Sequence, residues 1–110
     1  MATETEFRKP FVAALRKCGA SVVPYVGSTM GFSGVADVFV AHLHWHGWVE
    51  FKGPNTPLSK LQEIFLADMR ARNVHAHCVR FVTMSCFQIY EGPVIEWENG
   101  DDIIHAFRFP

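Results

Sequence analysis

The chain has 110 residues, 49% of them hydrophobic, a formal net charge of -1, six histidines and three cysteines. That length carries one compact domain, residues 1–110, and is too short for two, while near-neutral charge gives no global sign of a polyanionic partner yet leaves room for a local basic patch. No apolar run approaches the roughly 18 residues of a membrane span, and the widely spaced Cys18, Cys78 and Cys86 fit neither a disulfide framework nor a CxxC metal knuckle, reading instead as small hydrophobes.

The opening MATETEFRKP carries charges where a secretory leader needs an apolar stretch, so the expected location is intracellular, in the cytoplasm, with no membrane association. Over residues 5–18, Phe7, Phe11, Ala14, Leu15 and Cys18 recur at three and four, which predicts a helix ending at Gly19. Pro10 suits only a first turn, so regular helix is expected to begin near Lys9, or a kink to set off residues 3–9. SVVPYV (21–26) reads as a short strand whose Pro24 marks an edge or bulge. GSTMGFSG (27–34) is a Gly- and Ser-rich loop that can approach a ligand closely.

Residues 35–43 and 48–51 are rich in β-branched and aromatic side chains, with HWHG (44–47) predicted as the turn of a β-hairpin. GPNTP breaks the chain, and a helix follows over 59–72 with Leu61, Ile64, Phe65 and Met69 as its inward stripe and Asn73 as cap. The remainder, including DDIIHAFRF, reads as two or three further strands. The fold class is therefore α/β: helix, strand, hairpin, helix, strands around one mixed sheet.

The hairpin raises the chemical question. Alternation sets Asp37, Phe39, Ala41 and Leu43 on one face and Glu50 with Lys52 on a common face of the second strand. Folding back brings Asp37 near the level of Glu50 or Lys52, so two carboxylates and one lysine meet at a sheet end. Lys52 alone cannot neutralise both, whereas a divalent cation would: magnesium takes oxygen ligands, is held by one or two carboxylates and a substrate phosphate, and activates water against a phosphodiester. Lys52 would position that water or stabilise charge on the phosphate. A solvated face with an ordinary cross-strand pair is the competing reading for a loose D…ExK match.

With the loop before Asp37 and the helix after GP, the stretch GVADVFV…WVEFKGPNTPLSKLQ resembles the PD-(D/E)xK nuclease superfamily, and most closely its virus-type replication-repair nuclease branch, the VRR-NUC domains. Those domains run from a loop into G-x-P-D and a strand, then to E-x-K-G and a helix opening L-S-x-x-Q. Here Ala36 stands at the proline, a position that shapes strand entry and does no chemistry. The resemblance implies a restriction-endonuclease-like mixed β-sheet flanked by helices. It makes Asp37 and Glu50 metal-binding carboxylates, the Phe51 carbonyl a further metal ligand, Lys52 the catalytic lysine and Gln62 the helix-opening glutamine. It also implies a glutamate from the first helix, with Glu4 preferred over Glu6 because Glu4 is in phase with Phe7 and Phe11.

The implied activity is Mg2+- or Mn2+-dependent hydrolysis of DNA phosphodiesters on branched substrates, as in Holliday junction resolvases, which act as homodimers. A phage-encoded origin would suit so small a nuclease. A non-catalytic nucleic-acid- or protein-binding module on the same fold is the alternative. Arg8, Lys9, Arg16, Lys17, Lys60, Arg70 and Arg72 offer a backbone-binding rim, Ser28 and Ser33 can touch a phosphate or simply favour the loop, and DDIIHAFRF can supply an interface edge. Gln62 has a second reading, as Ser59-x-x-Gln62 is a capping box. His42, His44 and His46 would share a face and suit a transition metal only if their strand were continuous; with His75, His77 and His105 they match no zinc spacing.

Overall fold

A computed structural model describes residues 2–26 and 34–110. In chain order α1 spans Glu4–Lys17, β1 Ser21–Pro24, β2 Val38–Ala41, β3 His46–Lys52, α2 Lys60–Ala71, β4 Ala76–Thr83, β5 Cys86–Ile89, β6 Ile95–Glu96 and α3 Gly100–Arg108. Among the described residues the strands form one mixed sheet in the order β1-β2-β3-β4-β5-β6, antiparallel except for the parallel β3–β4 pair. A parallel pair needs a crossover, and α2 supplies it. None of the described helices is long and apolar enough to cross a membrane.

Strand alternation divides the interior between the two faces. Val38, Val40, Val49, Phe51, Val79, Phe81 and Phe87 join Phe7, Phe11 and Leu15 of α1 and Ile103 and Phe107 of α3 in the larger core. Phe11 is its hub, meeting Phe51, Phe81, Phe87 and Trp97 edge-on at centroid distances of 5.2–5.8 Å. Across the sheet, Leu66 of α2 packs on Ala36, Ala76 and Cys78, with Phe65 edge-on to Trp48 at 5.5 Å.

Four expectations change. The helix does not wait for Lys9: Thr3 caps it, accepting from the Glu6 N–H at 3.2 Å, and α1 is continuous through Pro10. The hairpin turns earlier than HWHG, because Ala41 pairs with His46, and Gly47 lies inside β3 where a Cβ would stand 2.6 Å from the His75 carbonyl oxygen. Along α2, Leu61 and Ile64 are 52% and 54% exposed, and the inward face is Phe65, Leu66 and Met69. Finally, the last segment is the helix α3, opened by a capping box between Asn99 and Asp102, so the proposed C-terminal strand edge does not exist. Its buried Ile103, Ile104, Ala106 and Phe107 follow helical spacing, which local β-propensity had obscured.

Helices α1 and α3 meet at Gly100, where a Cβ would fall 2.3 Å from the Ala14 carbonyl oxygen and 2.6 Å from Cys18 Sγ. Gly100→Ala is therefore expected to destabilise the protein by about 1–3 kcal/mol through overpacking, against the roughly 1 kcal/mol that alanine's helix propensity would add. Urea unfolding reads the balance; a variant more stable than the parent would show that the two helices are not in contact there.

Candidate active site

The site grows from the place where β2 leaves β3. The last β2–β3 pair is Val38 with Val49, so one step further Asp37 faces Glu50, while β3 continues to Lys52 with only β4 at its side. Phe51 has lost its β2 partner, and its N–H donates instead to Asp37 Oδ2 at 2.9 Å. In return the Asp37 N–H donates to Glu50 Oε1 at 3.1 Å. Each carboxylate is thus held by backbone belonging to the other's strand.

Two side chains complete the hold on Glu50. Lys52 Nζ lies 3.6 Å from Glu50 Oε2, and Gln62 Nε2 donates to the same oxygen at 2.9 Å. Gln62 also closes the α2 capping box: its Oε1 accepts from the Ser59 N–H at 2.9 Å, and its own N–H donates to Ser59 Oγ at 3.2 Å. The two sequence readings of Gln62 coexist, because its amide oxygen caps the helix and its amide nitrogen faces the carboxylate. One turn along α2, Phe65 rests on Trp48, two residues before Glu50 on the same face of β3. A second support comes from Arg80, to which sequence reasoning gave no role. Its guanidinium donates to the carbonyls of Gly53 at 2.8 Å and Thr56 at 2.6 Å, fixing the loop between β3 and α2.

Helix α1 brings the remaining charges. Arg8 lies with Nη1 3.9 Å from Asp37 Oδ1 and its guanidinium carbon 4.9 Å from the Phe51 ring centroid. Glu4 is half-buried and its carboxyl is raised above the ordinary range, first by burial and then by the charge of Asp37, with Arg8 and Lys52 opposing. Glu6 is exposed and accepts from the Thr3 hydroxyl at 3.3 Å. Chain entry on the other side is fixed by Gly34, whose positive φ of 80° and 2.6 Å approach of a would-be Cβ to the Leu61 backbone leave no room for a side chain.

Glu50 is 2% exposed. Its carboxyl is pushed up to about 7, chiefly by burial and then by the charge of Asp37, with Lys52 pulling the other way. Among the described residues no three His, Cys, Asp or Glu side chains gather closely enough to hold a metal by themselves. The oxygens that could hold a metal here are those of the two locked carboxylates and the main-chain carbonyl of Phe51, which opens toward Asp37 because N–H and C=O of one strand residue point the same way. These are hard oxygen donors, the type that suits magnesium or manganese.

The other expected residues differ in their surroundings. Lys9, Lys17 and Lys60 are exposed, Lys60 lying 3.9 Å from Glu63. Three arginines of the rim are engaged within the chain: Arg16 donates to the Val22 carbonyl at 2.9 Å, Arg70 bonds Tyr90 and Arg72 pairs with Asp68. Ser28 and Ser33 lie outside the described residues. His42 is a satisfied histidine and not a metal ligand: its Nδ1 accepts from the His44 N–H at 3.1 Å, leaving the ring proton on Nε2 to be donated to the Cys18 carbonyl at 3.2 Å. His46 stands apart in β3, beyond the turn.

No family model and no curated protein matches the sequence. The structure is similar to that of Hjc, a Holliday junction resolvase from the archaeal hyperthermophile Archaeoglobus fulgidus, with a TM-score of 0.57 and 15% identity over 84% of this chain and 87% of that one. The chain therefore has the mixed α/β fold of that nuclease.

The raised Glu50 carboxyl has a sign that stability can read. The folded state holds this proton more tightly than the unfolded chain, so the associated stability is complete below the ordinary 4.5 and is lost as pH climbs through about 7. In EDTA, Glu50→Gln should raise the unfolding temperature relative to the parent at pH 8, and the difference should shrink at pH 5. An equal difference at both pH values would mean that Glu50 ionises normally in the fold.

Proposed function

We propose that the chain is a metal-dependent, structure-selective endonuclease that hydrolyses DNA phosphodiester bonds, with Holliday junctions and other branched DNA as its substrates. The observation that supports this best is the reciprocal lock of Asp37 and Glu50, two carboxylates holding each other's strands beside Lys52. The fold shared with a Holliday junction resolvase adds the substrate class. Within the PD-(D/E)xK superfamily, the order of motifs around Asp37, Glu50-x-Lys52 and Gln62 favours the VRR-NUC branch.

In this reading Asp37, Glu50 and the Phe51 carbonyl hold Mg2+ or Mn2+, and Glu4 adds charge from α1. When bound, the ion would activate water and draw charge from the scissile phosphate. Gln62 fixes the direction of the Glu50 carboxylate, and the lock fixes that of Asp37, so neither needs to reorganise as the reaction proceeds. Lys52, its ammonium a compact charge 3.6 Å from Glu50, steadies the attacking water or the charge gathering on the phosphate. Arg8, Lys9 and Lys60 hold the DNA backbone near the cut, together with Ser28 and Ser33 of the preceding loop. Base edges are not read, so selection rests on DNA shape. Opposed cuts in a four-way junction need two sites, and a symmetric homodimer provides them.

The test is cleavage of labelled four-way junction, 5′ flap, splayed and linear duplex DNA in Mg2+, Mn2+ or EDTA. Metal-dependent cutting is expected on the branched DNAs, falling by at least about 100-fold in Asp37→Ala and in Lys52→Ala, on the scale of losing one preorganised charged group from an active site. Binding without cutting in either metal would replace the nuclease with the binding module on the same fold. A second expectation follows from proton competition at Glu50. Mn2+ affinity should rise as pH climbs from 6 through the Glu50 value of about 7 and level off by about pH 8, with proton release visible in calorimetry across buffers of different ionisation heat. Affinity independent of pH in this window would remove Glu50 from the ligand set.

A further inference from the structure

Asp37 divides its oxygens between two partners. Oδ2 takes the Phe51 N–H, a bond that fixes the strand end, so Oδ1 is the oxygen available to a cation. Arg8 already faces it, at 3.9 Å. The contact is loosely made: it is a charge pair at long range, and both side chains are 30% exposed, conditions in which an ion pair is weakly held. What keeps the guanidinium in place is the Phe51 ring beneath it, 4.9 Å from ring centroid to guanidinium carbon. Stacking of that kind leaves the N–H fork uncommitted, and the fork matches a phosphate in geometry and charge.

Resting on the nuclease reading, we infer that Arg8 is a built-in counter-cation of Asp37 that a divalent ion displaces, and that the released guanidinium then grips a DNA phosphate beside the site. Without metal, Arg8 offsets the charge of Asp37. When a divalent ion takes Oδ1, two positive charges would crowd one oxygen, and Arg8 gives way without leaving the Phe51 ring. The side chain thereby links metal loading to backbone grip. A second feature agrees with cation entry here: Glu4, one turn before Arg8 on the same face of α1, lies close enough to Asp37 to feel its charge, so the site that the ion would enter carries a third carboxyl.

The experiment compares the parent with Arg8→Gln and Arg8→Met, two neutral variants of which methionine keeps an apolar stem over Phe51, and with Arg8→Lys, which keeps the charge. Mn2+ binding is measured by calorimetry without DNA, and binding to a labelled four-way junction is measured in Ca2+ over a range of KCl. The neutral variants should bind Mn2+ about two- to fivefold more tightly than the parent, the scale of one partly exposed charge pair. Arg8→Lys should stay near the parent. The neutral variants should also bind the junction more weakly, with the salt slope reduced by about 1, one phosphate contact. A purely structural Arg8 would move the first result the other way, since loosening α1 over the site weakens Mn2+ binding.

Neutral variants that fold yet bind Mn2+ no tighter overturn the counter-cation role. Tighter Mn2+ with an unchanged salt slope overturns the transfer to phosphate. A parent protein that takes up no Mn2+ brings down the nuclease reading, and this inference with it.

Discussion

The separation of β2 from β3 at Asp37 governs the chemistry of this molecule. A strand that outruns its neighbour exposes backbone donors, and a buried donor left without an acceptor costs about 1–3 kcal/mol. Here the deficit is met by side chains rather than by another strand: Asp37 accepts from Phe51, and Glu50 accepts from Asp37. The same bonds that end the ladder therefore force a buried carboxylate, Glu50, against a partly exposed one, Asp37. Burial drives Glu50 toward its protonated form, and Lys52, Gln62 and Arg8 collect around the pair because acidic oxygens there leave so much to be satisfied.

Alternation on β3 turns this local event into an arrangement with two sides. Phe51 is fully buried among Phe11 and Phe81, while its neighbours Glu50 and Lys52 face the other way. The candidate groups Glu50 and Lys52 are thus carried on β3 where β4 still flanks it, with the aromatic core beneath Phe51. Helix α2 repeats the logic from above, standing on β3 by one aromatic contact, Phe65 on Trp48, and one polar contact, Gln62 on Glu50. Strand residues two apart and helix residues three apart lie at similar spacing, so both contacts form together.

How much of this was legible depended on the range of the signal. Alternation within 37–52 and the resemblance of its motifs placed Asp37, Glu50 and Lys52 in one neighbourhood, and S-x-x-Q announced the capping box. The turn position was not legible, since HWHG looks like a turn by composition, whereas the observed register follows from packing of Gly47 against His75 and of Trp45 among His77 and Phe107. The final helix was hidden for a related reason: Ile-Ile and Phe-x-Phe favour strands locally, and they masked the Asn99-x-x-Asp102 capping box and the helical spacing of the residues packed against α1. Arg80 escaped notice because its partners are carbonyls, which every residue has and no motif advertises. Its effect on the β3–α2 loop belongs to the fold rather than to a pattern of residue types.

Gln62 remains the most economical element of the design. One planar amide closes the start of a helix with its oxygen and secures a carboxylate with its nitrogen, and the planarity ties the two acts together. If the first turn of α2 frays, the amide loses its anchor at Ser59 and Glu50 loses a donor in the same motion. Conversely, any ligand that pulls Glu50 out of line tugs on the helix start. The order of the first helical turn and the readiness of the acidic pair are then one variable rather than two, and an amide-exchange signal from Ser59 or Gln62 becomes a remote gauge of what Glu50 is doing.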